Sequence, residues 1–134
     1  MATLFASFCV ALAVTVRRRF SRFEVSGASM SPTYNPGDWL IVDLRAFRGR
    51  LPRPGEVVIL RDPRAPKRQI MKRVSAVTLH GELDVRGDNR AESTDTRTFG
   101  PVERSLLVGK VLWRFHKANQ PPLRPSGEGE GVGG

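Results

Sequence analysis

One serine of this 134-residue chain has the surroundings of a possible nucleophile. Ser29 lies within Gly27-Ala28-Ser29-Met30-Ser31-Pro32, where small residues allow close approach to another chain and Pro32 favours a turn. Most serines flanked by glycine and proline are ordinary polar surface turns. A serine becomes a nucleophile only when a base can reach its hydroxyl. The interpretation of Ser29 therefore depends on finding that base.

Lys72 is the candidate base. Alternation along its predicted strand places Lys72 on the same face as Ile70, Val74 and Ala76, while Arg73 points the other way. Burial disfavours the charged ammonium and lowers the pKa of a lysine, so a buried lysine can act as a neutral amine, which arginine cannot do. A lysine that reaches solvent from a strand edge fits the same pattern. The residue pattern alone leaves both interpretations open.

Short apolar runs separated by proline and glycine continue from residue 23 onward, a pattern typical of β-strands with little room for helices. Strands are predicted at residues 39–42, 56–60, 69–77, 82–86 and 106–115. The length suits a single domain with one modest core, which we place at residues 21–118. Residues 119–134 are rich in proline, glycine and glutamate and are expected to be a disordered tail.

The first 20 residues predict a membrane anchor. Residues 2–16 carry no charge and are followed at once by Arg17, Arg18 and Arg19. As a helix this run covers about 22 Å against a hydrocarbon core of about 30 Å, so a transmembrane helix needs help from its neighbours or a thin bilayer. A cleavable signal peptide fits less well, because its basic residues precede the apolar run. The alternative is a buried helix of a soluble domain.

The formal charge of +9 suits anionic lipid or nucleic acid. The chain lacks the motifs of a nucleic-acid-binding module, so no nucleic-acid partner is predicted. Cys9 is the single cysteine, which rules out a disulfide framework within the chain. His80 and His116 form no Ser/His/Asp pattern with a serine, and no cluster of residues has metal-ligand spacing. We therefore expect neither a metal nor a cofactor.

Four blocks of the sequence together resemble the type I signal peptidase family of serine proteases, which includes the small mitochondrial inner-membrane peptidases. The blocks are residues 26–33, 37–42, 72–74, and 87–97 with 100–102 behind it. Each block is weak alone, but their order and the spacing of about 43 residues from Ser29 to Lys72 are specific. The resemblance extends from about Val25 to Phe115. It implies a small β-barrel or coiled-sheet catalytic core, without the β domain that many bacterial relatives insert between the positions of Val77 and Gly87.

The resemblance also implies the roles of individual residues. Ser29 matches the nucleophile and Lys72 the general base of a Ser/Lys dyad. Ser93 matches a serine that hydrogen-bonds the lysine and orients it. Structural support behind the site is implied for Asp88, Asp95 and Arg97, with the turn of residues 87–89 bringing that loop beneath the dyad.

The same resemblance implies which residues contact the substrate. Met30 and Met71 match residues lining the pocket for a small side chain, with alanine-like residues preferred one and three positions before the cut. The peptide is expected to lie as an added strand between residues 23–27 and 69–71. Gly27 stands where some relatives have a hydroxyl residue that helps to bind the oxyanion, so the backbone N–H of Ser29 remains as one donor.

Our leading hypothesis is a membrane-anchored serine endopeptidase that removes leader peptides after small residues. Its partners would be leader-bearing proteins and, through residues 1–20, membrane lipid. A maturation protease for one partner, like relatives that process nickel superoxide dismutase, is an alternative, as is a non-catalytic basic β module on a membrane. The positive-inside rule favours a cytoplasmic catalytic domain, whereas secretory-leader removal needs the opposite side, so the topology stays open.

Overall fold

The computed structural model describes residues 1–92 and 99–118, and within them one helix precedes six strands. The helix α1 spans Ala2–Arg19; the strands are β1 (Phe20–Glu24), β2 (Trp39–Asp43), β3 (Val57–Asp62), β4 (Ala65–Val77), β5 (Leu83–Arg86) and β6 (Leu107–His116). All strand pairs are antiparallel and form a sheet in the order β1-β2-β6-β3-β4-β5. The mainly β fold predicted from the sequence is confirmed.

The sheet buries apolar side chains on both of its faces. In β3, Val57 and Ile59 belong to one core cluster, while Val58 and Leu60 belong to the other. This division follows from the alternation of side chains along a strand. A strand covered on both sides has a continuous apolar sequence, and residues 57–60 are such a run. Because β3 lies between β4 and β6, it holds β4 in place from the inside of the sheet.

Five of the six strands coincide with predicted ones, with ends shifted by a few residues. The largest shift is in β4, which begins at Ala65, four residues before the predicted start at residue 69. The strand missing from the prediction is β1, which follows the helix directly and pairs with β2 through Phe23 opposite Leu40. Its sequence, Phe-Ser-Arg-Phe-Glu, contains no apolar run that would indicate a strand. The strand is recognised by its pairing with β2.

No residue of α1 is buried, and large apolar side chains along it face outward. Leu4, Phe5 and Phe8 are 77%, 71% and 66% exposed, which makes the alternative of a buried domain helix wrong. The end of the helix is tied to β2 by an ion pair between Arg19 and Asp43 at 3.2 Å. Among the described residues no helix has both the length and the apolarity needed to cross a membrane, so the predicted transmembrane helix is not found there.

Candidate active site

The loop that carries Ser29 connects β1 to β2 and is closed at its base by backbone hydrogen bonds. The N–H of Val25 donates to the carbonyl of Asp38 at 2.9 Å, and the N–H of Gly37 donates back to Val25 at 2.8 Å. Val25 and Met30 are buried in the first core cluster and anchor the loop on either side of Ser29. Ser29 itself is half-buried, so the loop presents a serine at the edge of the core.

A turn from a distant part of the sequence holds the Ser29 loop in place. The backbone N–H of Asn89 donates to the carbonyl of Ser29 at 2.8 Å, and its side-chain amide donates to the carbonyl of Ala28 at 3.1 Å. The peptide group between Ala28 and Ser29 is planar and trans, so its N–H points away from the carbonyl that Asn89 binds. The Ala28 carbonyl also accepts from the backbone N–H of Ser31 at 3.1 Å, so Asn89 and Ser31 together fix the direction of the Ser29 N–H. That N–H donates no hydrogen bond within the described part of the chain.

The turn with Asn89 is attached to β4 through a salt bridge. Arg73 donates two hydrogen bonds to the Asp88 carboxylate, at 2.9 and 2.8 Å, and a third to the carbonyl of Gly55 at 2.8 Å. The bond from Arg73 is the main reason that the pKa of Asp88 is held below its ordinary value. Two parallel bonds between a guanidinium and a carboxylate restrict the orientation of both groups. The salt bridge thus fixes the turn whose Asn89 binds the Ser29 loop, and the supporting role implied for Asp88 remains a prediction.

Lys72 lies on β4 next to Arg73 and is one of the few buried charged side chains of the described residues. Its exposed fraction is 3%, and its backbone is paired with Val58 on β3. Two residues away on either side, Val74 belongs to the second core cluster and the partly buried Ile70 packs against it. The prediction that Lys72 shares an apolar face with Ile70 and Val74 is therefore correct. Ala76 is exposed, because the pairing of β4 with β5 shifts register between Val74 and Ala76.

Ser29 and Lys72 line the same open cleft. One wall consists of β1 and the following segment, from Phe23 to Ser29; the other is β4 from Arg68 to Lys72, with Arg64 nearby. These walls are not hydrogen-bonded to each other, because β1 and β4 are separated in the sheet by β2, β6 and β3. The cleft has the form of a groove between two strands, and Ser29 and Lys72 are the last lining residues of the two walls in chain order.

The other predicted site residues are distributed unevenly. Met71 lines the cleft, but Met30 is 1% exposed and packs in the first core cluster, so the structure does not place it on the cleft wall. Gly27 lines the cleft with a φ of +81°, the left-handed region. Ser93, Asp95 and Arg97 lie outside the described residues, and the roles implied for them remain predictions.

Sequence reasoning missed the contribution of Asn89 and Arg73. The turn of residues 87–89 was expected beneath the dyad, but nothing in the sequence indicated that Asn89 would bind two carbonyls of the Ser29 loop across 61 residues. The sequence does predict the direction of the Arg73 side chain, because the alternation that buries Lys72 turns the next side chain to the opposite face. The described residues contain no group of histidine, cysteine or carboxylate side chains that could hold a metal ion.

Comparison with known proteins identifies this small β fold with its serine-bearing cleft as a protease. The family model described as signal peptidase, peptidase S26, matches residues 1–78 and 79–116. The chain belongs to this family, as the resemblance of its sequence blocks predicted, and is a serine protease.

Curated relatives include mitochondrial inner-membrane proteases from plants and mammals. Mitochondrial ATP-independent inner membrane protease subunit 1a of Arabidopsis thaliana is 36% identical over 134 aligned positions, covering 84% of this chain and 80% of the relative. Mitochondrial inner membrane protease subunit 2 is 31% identical in Bos taurus, covering 90% and 88%, and 30% identical in Mus musculus, covering 81% and 80%. The similarity thus extends over most of the chain and most of each relative.

Proposed function

We propose that this protein is an endopeptidase that removes N-terminal leader peptides from other proteins, cutting after small residues. The observation that supports this most directly is that half-buried Ser29 and buried Lys72 share one open, strand-walled cleft. The family supports the reaction, since its name is that of the signal peptidases. An extended peptide fits between the cleft walls, where backbone groups of two strands can bind it as an added strand.

In the proposed mechanism, Lys72 acts as the general base toward Ser29. Its burial disfavours the ammonium form and so favours a neutral amine able to accept the proton of the Ser29 hydroxyl. The Ser29 Oγ then attacks the carbonyl carbon of the scissile bond, and Lys72 returns the proton to the departing amine. A water molecule then attacks the acyl carbon while Lys72 accepts its proton, and Lys72 gives that proton to Ser29 Oγ as the ester bond breaks. Ser29 Oγ has no hydrogen bond with another described residue, and such bonds often tighten only with substrate bound.

The backbone N–H of Ser29 is the proposed donor to the oxyanion. It belongs to the peptide group whose carbonyl is bound by the side chain of Asn89, so its direction is set before the substrate arrives. Donors fixed in advance stabilise a developing negative charge without reorganising during the reaction. We assign Asn89 the role of a positioning residue, because it acts on the oxyanion through this peptide group.

The exposed helix α1 is the proposed membrane attachment. Its outward-facing apolar side chains need a covering, and three arginines at its C-terminal end suit an anionic lipid surface. The relatives named above are inner-membrane proteases, which supports association with a membrane. Flotation of the full chain with liposomes, compared with a chain lacking residues 1–19, tests this attachment.

Cleavage of a leader peptide with alanine one and three positions before the cut tests the catalytic proposal. Ser29→Ala and Lys72→Ala should each abolish cleavage while the melting temperature of the full chain in detergent stays within a few degrees. Lys72→Arg should be as inactive as Lys72→Ala, because arginine stays protonated. An active Lys72→Arg variant would overturn the general-base assignment.

Comparison of protein N-termini in cells with wild-type protein and with Ser29→Ala identifies the substrates. Many changed N-termini would indicate a general leader peptidase, whereas one would indicate a dedicated maturation protease. Unchanged N-termini together with inactivity on peptides would contradict the proposed function.

A further inference from the structure

The cleft has two chemically different ends. In chain order, the lining residues of the two walls begin at Phe23 and Arg68 and end at Ser29 and Lys72. Both walls run in the same direction, because four successive antiparallel pairings from β1 to β4 leave these two strands parallel. Ser29 and Lys72 therefore lie toward one end of the cleft, and Phe23 and Arg68 lie toward the other. The far end is formed by the β3–β4 hairpin, which carries four basic side chains there: Arg61 on β3, Arg64 in the turn, and Lys67 and Arg68 on β4.

Only part of this positive charge is neutralised within the described residues. Asp62 is buried, and Arg64 donates to both of its carboxylate oxygens, at 3.1 and 3.0 Å. Arg64 is therefore fixed in position with its charge compensated. Arg68 is exposed and forms no ion pair with another described residue, although its charge adds to the field around Asp62. The cationic group available at this end of the cleft is that of Arg68.

The distance from the reacting end sets which substrate residue can reach Arg68. Four residue steps separate Lys72 from Arg68 on β4, which is about 13 Å at about 3.3 Å per residue. A peptide extended along this strand advances at the same rate. With its scissile carbonyl at Ser29, it places the residue four to six positions before the cut beside Arg68.

From this arrangement we infer that Arg68, which lines the cleft together with the charge-compensated Arg64, forms a cationic subsite that selects leader peptides with an acidic side chain four to six residues before the scissile bond. The inference rests on the proposed function, because it assumes that the leader portion of the substrate occupies the cleft. It adds a charge preference at a distance from the small residues next to the cut.

A set of peptides tests the subsite with the full chain in neutral detergent. The parent peptide carries alanine one and three positions before the cut and glutamine elsewhere in the leader part. Single glutamate and lysine substitutions are scanned from six positions before the cut to three after it. We expect glutamate at one of the positions four to six before the cut to raise kcat/KM about fivefold over glutamine, and lysine there to lower it. The preference should weaken as salt is raised from 0.05 to about 0.5 M.

Two variants of the same hairpin separate a subsite from a general field effect. Arg68→Gln should abolish the ratio of glutamate to glutamine peptide rates, and Arg68→Glu should invert it in favour of lysine. Lys67→Gln removes the same charge one residue away, outside the cleft lining, and should retain the ratio. Equal losses in Arg68→Gln and Lys67→Gln would overturn the subsite.

Other outcomes are equally decisive. A glutamate preference located only after the cut, or none at all with the parent peptide well cleaved, would refute the inference and leave the proposed function intact. Failure of the wild-type protein to cleave the parent peptide at all would refute both. If Arg68→Gln weakens binding to phosphatidylglycerol vesicles and leaves the peptide ratio unchanged, Arg68 serves a lipid surface and the inference is wrong.

Discussion

Replacement of Gly27 tests how the oxyanion is bound, because this position combines a special backbone conformation with open space. Its φ is +81°, and a Cβ built there meets no atom within 4 Å. The cost of a side chain is therefore conformational and not steric. A residue with a Cβ in the left-handed region costs about 1–2 kcal/mol, so Gly27→Ala and Gly27→Ser should each lose about that much folding free energy.

The two variants should differ in catalysis. Some relatives carry a hydroxyl residue at the position of Gly27, and serine restores that donor, whereas alanine adds the Cβ alone. One further donor to the oxyanion is worth up to about 3 kcal/mol, and an imperfect rotamer returns less. We expect kcat for Gly27→Ser to exceed that for Gly27→Ala by between about threefold and about a hundredfold at similar KM.

The assay combines peptide turnover with thermal unfolding of each full-length variant. Gly81→Ala is the matched control, since Gly81 has a φ of +79° in a turn outside the cleft and its added Cβ would lie 4.0 Å from Leu51. This variant should lose the same stability and keep its turnover. Equal turnover of Gly27→Ser and Gly27→Ala would refute the donor argument. A much larger stability loss for Gly27→Ala than for Gly81→Ala would refute the conformational one.

Three further predictions follow from other parts of the chain. Asn89→Ala removes a hydrogen bond to Ala28 worth about 1 kcal/mol, so kcat should fall about fivefold with KM unchanged; an equal rise in KM would contradict a role through the Ser29 N–H. Glu56 forms ion pairs with Arg50 and Lys110, which lower its pKa to about 2. A carboxylate with a depressed pKa stabilises the fold only while it is ionised. Up to about 3 kcal/mol of folding free energy should therefore be lost as pH falls from about 4.5 to 2. Chemical unfolding of wild type and Glu56→Gln should therefore diverge at pH 7 and converge near pH 2. Deletion of residues 120–134 should leave melting temperature and turnover nearly unchanged, because Leu123 and Val132 are its only large apolar residues, and a clear loss of either would show that it docks.

Local sequence was sufficient for the strands that have an apolar run or a clear alternation. Residues 39–42, 57–60 and 70–74 could be assigned in this way, since a buried strand needs apolar side chains whichever strands lie beside it. The same alternation predicted that Lys72 faces a core and Arg73 does not. The sequence did not predict β1, because its five residues contain only two apolar side chains and acquire their strand conformation through pairing with β2.

For the candidate site, the sequence by itself determined the residue types: a serine among small residues, a lysine on an apolar strand face, and the block order that the family shares. The tertiary structure decided their relation. The sheet order keeps β1 and β4 apart, which opens the cleft; Asn89 binds the Ser29 loop across 61 residues; and Met30 turns into the core, not toward the cleft. Strand order and such distant contacts depend on the packing of the whole sheet, whereas alternation and turn propensity act only between neighbours in the chain.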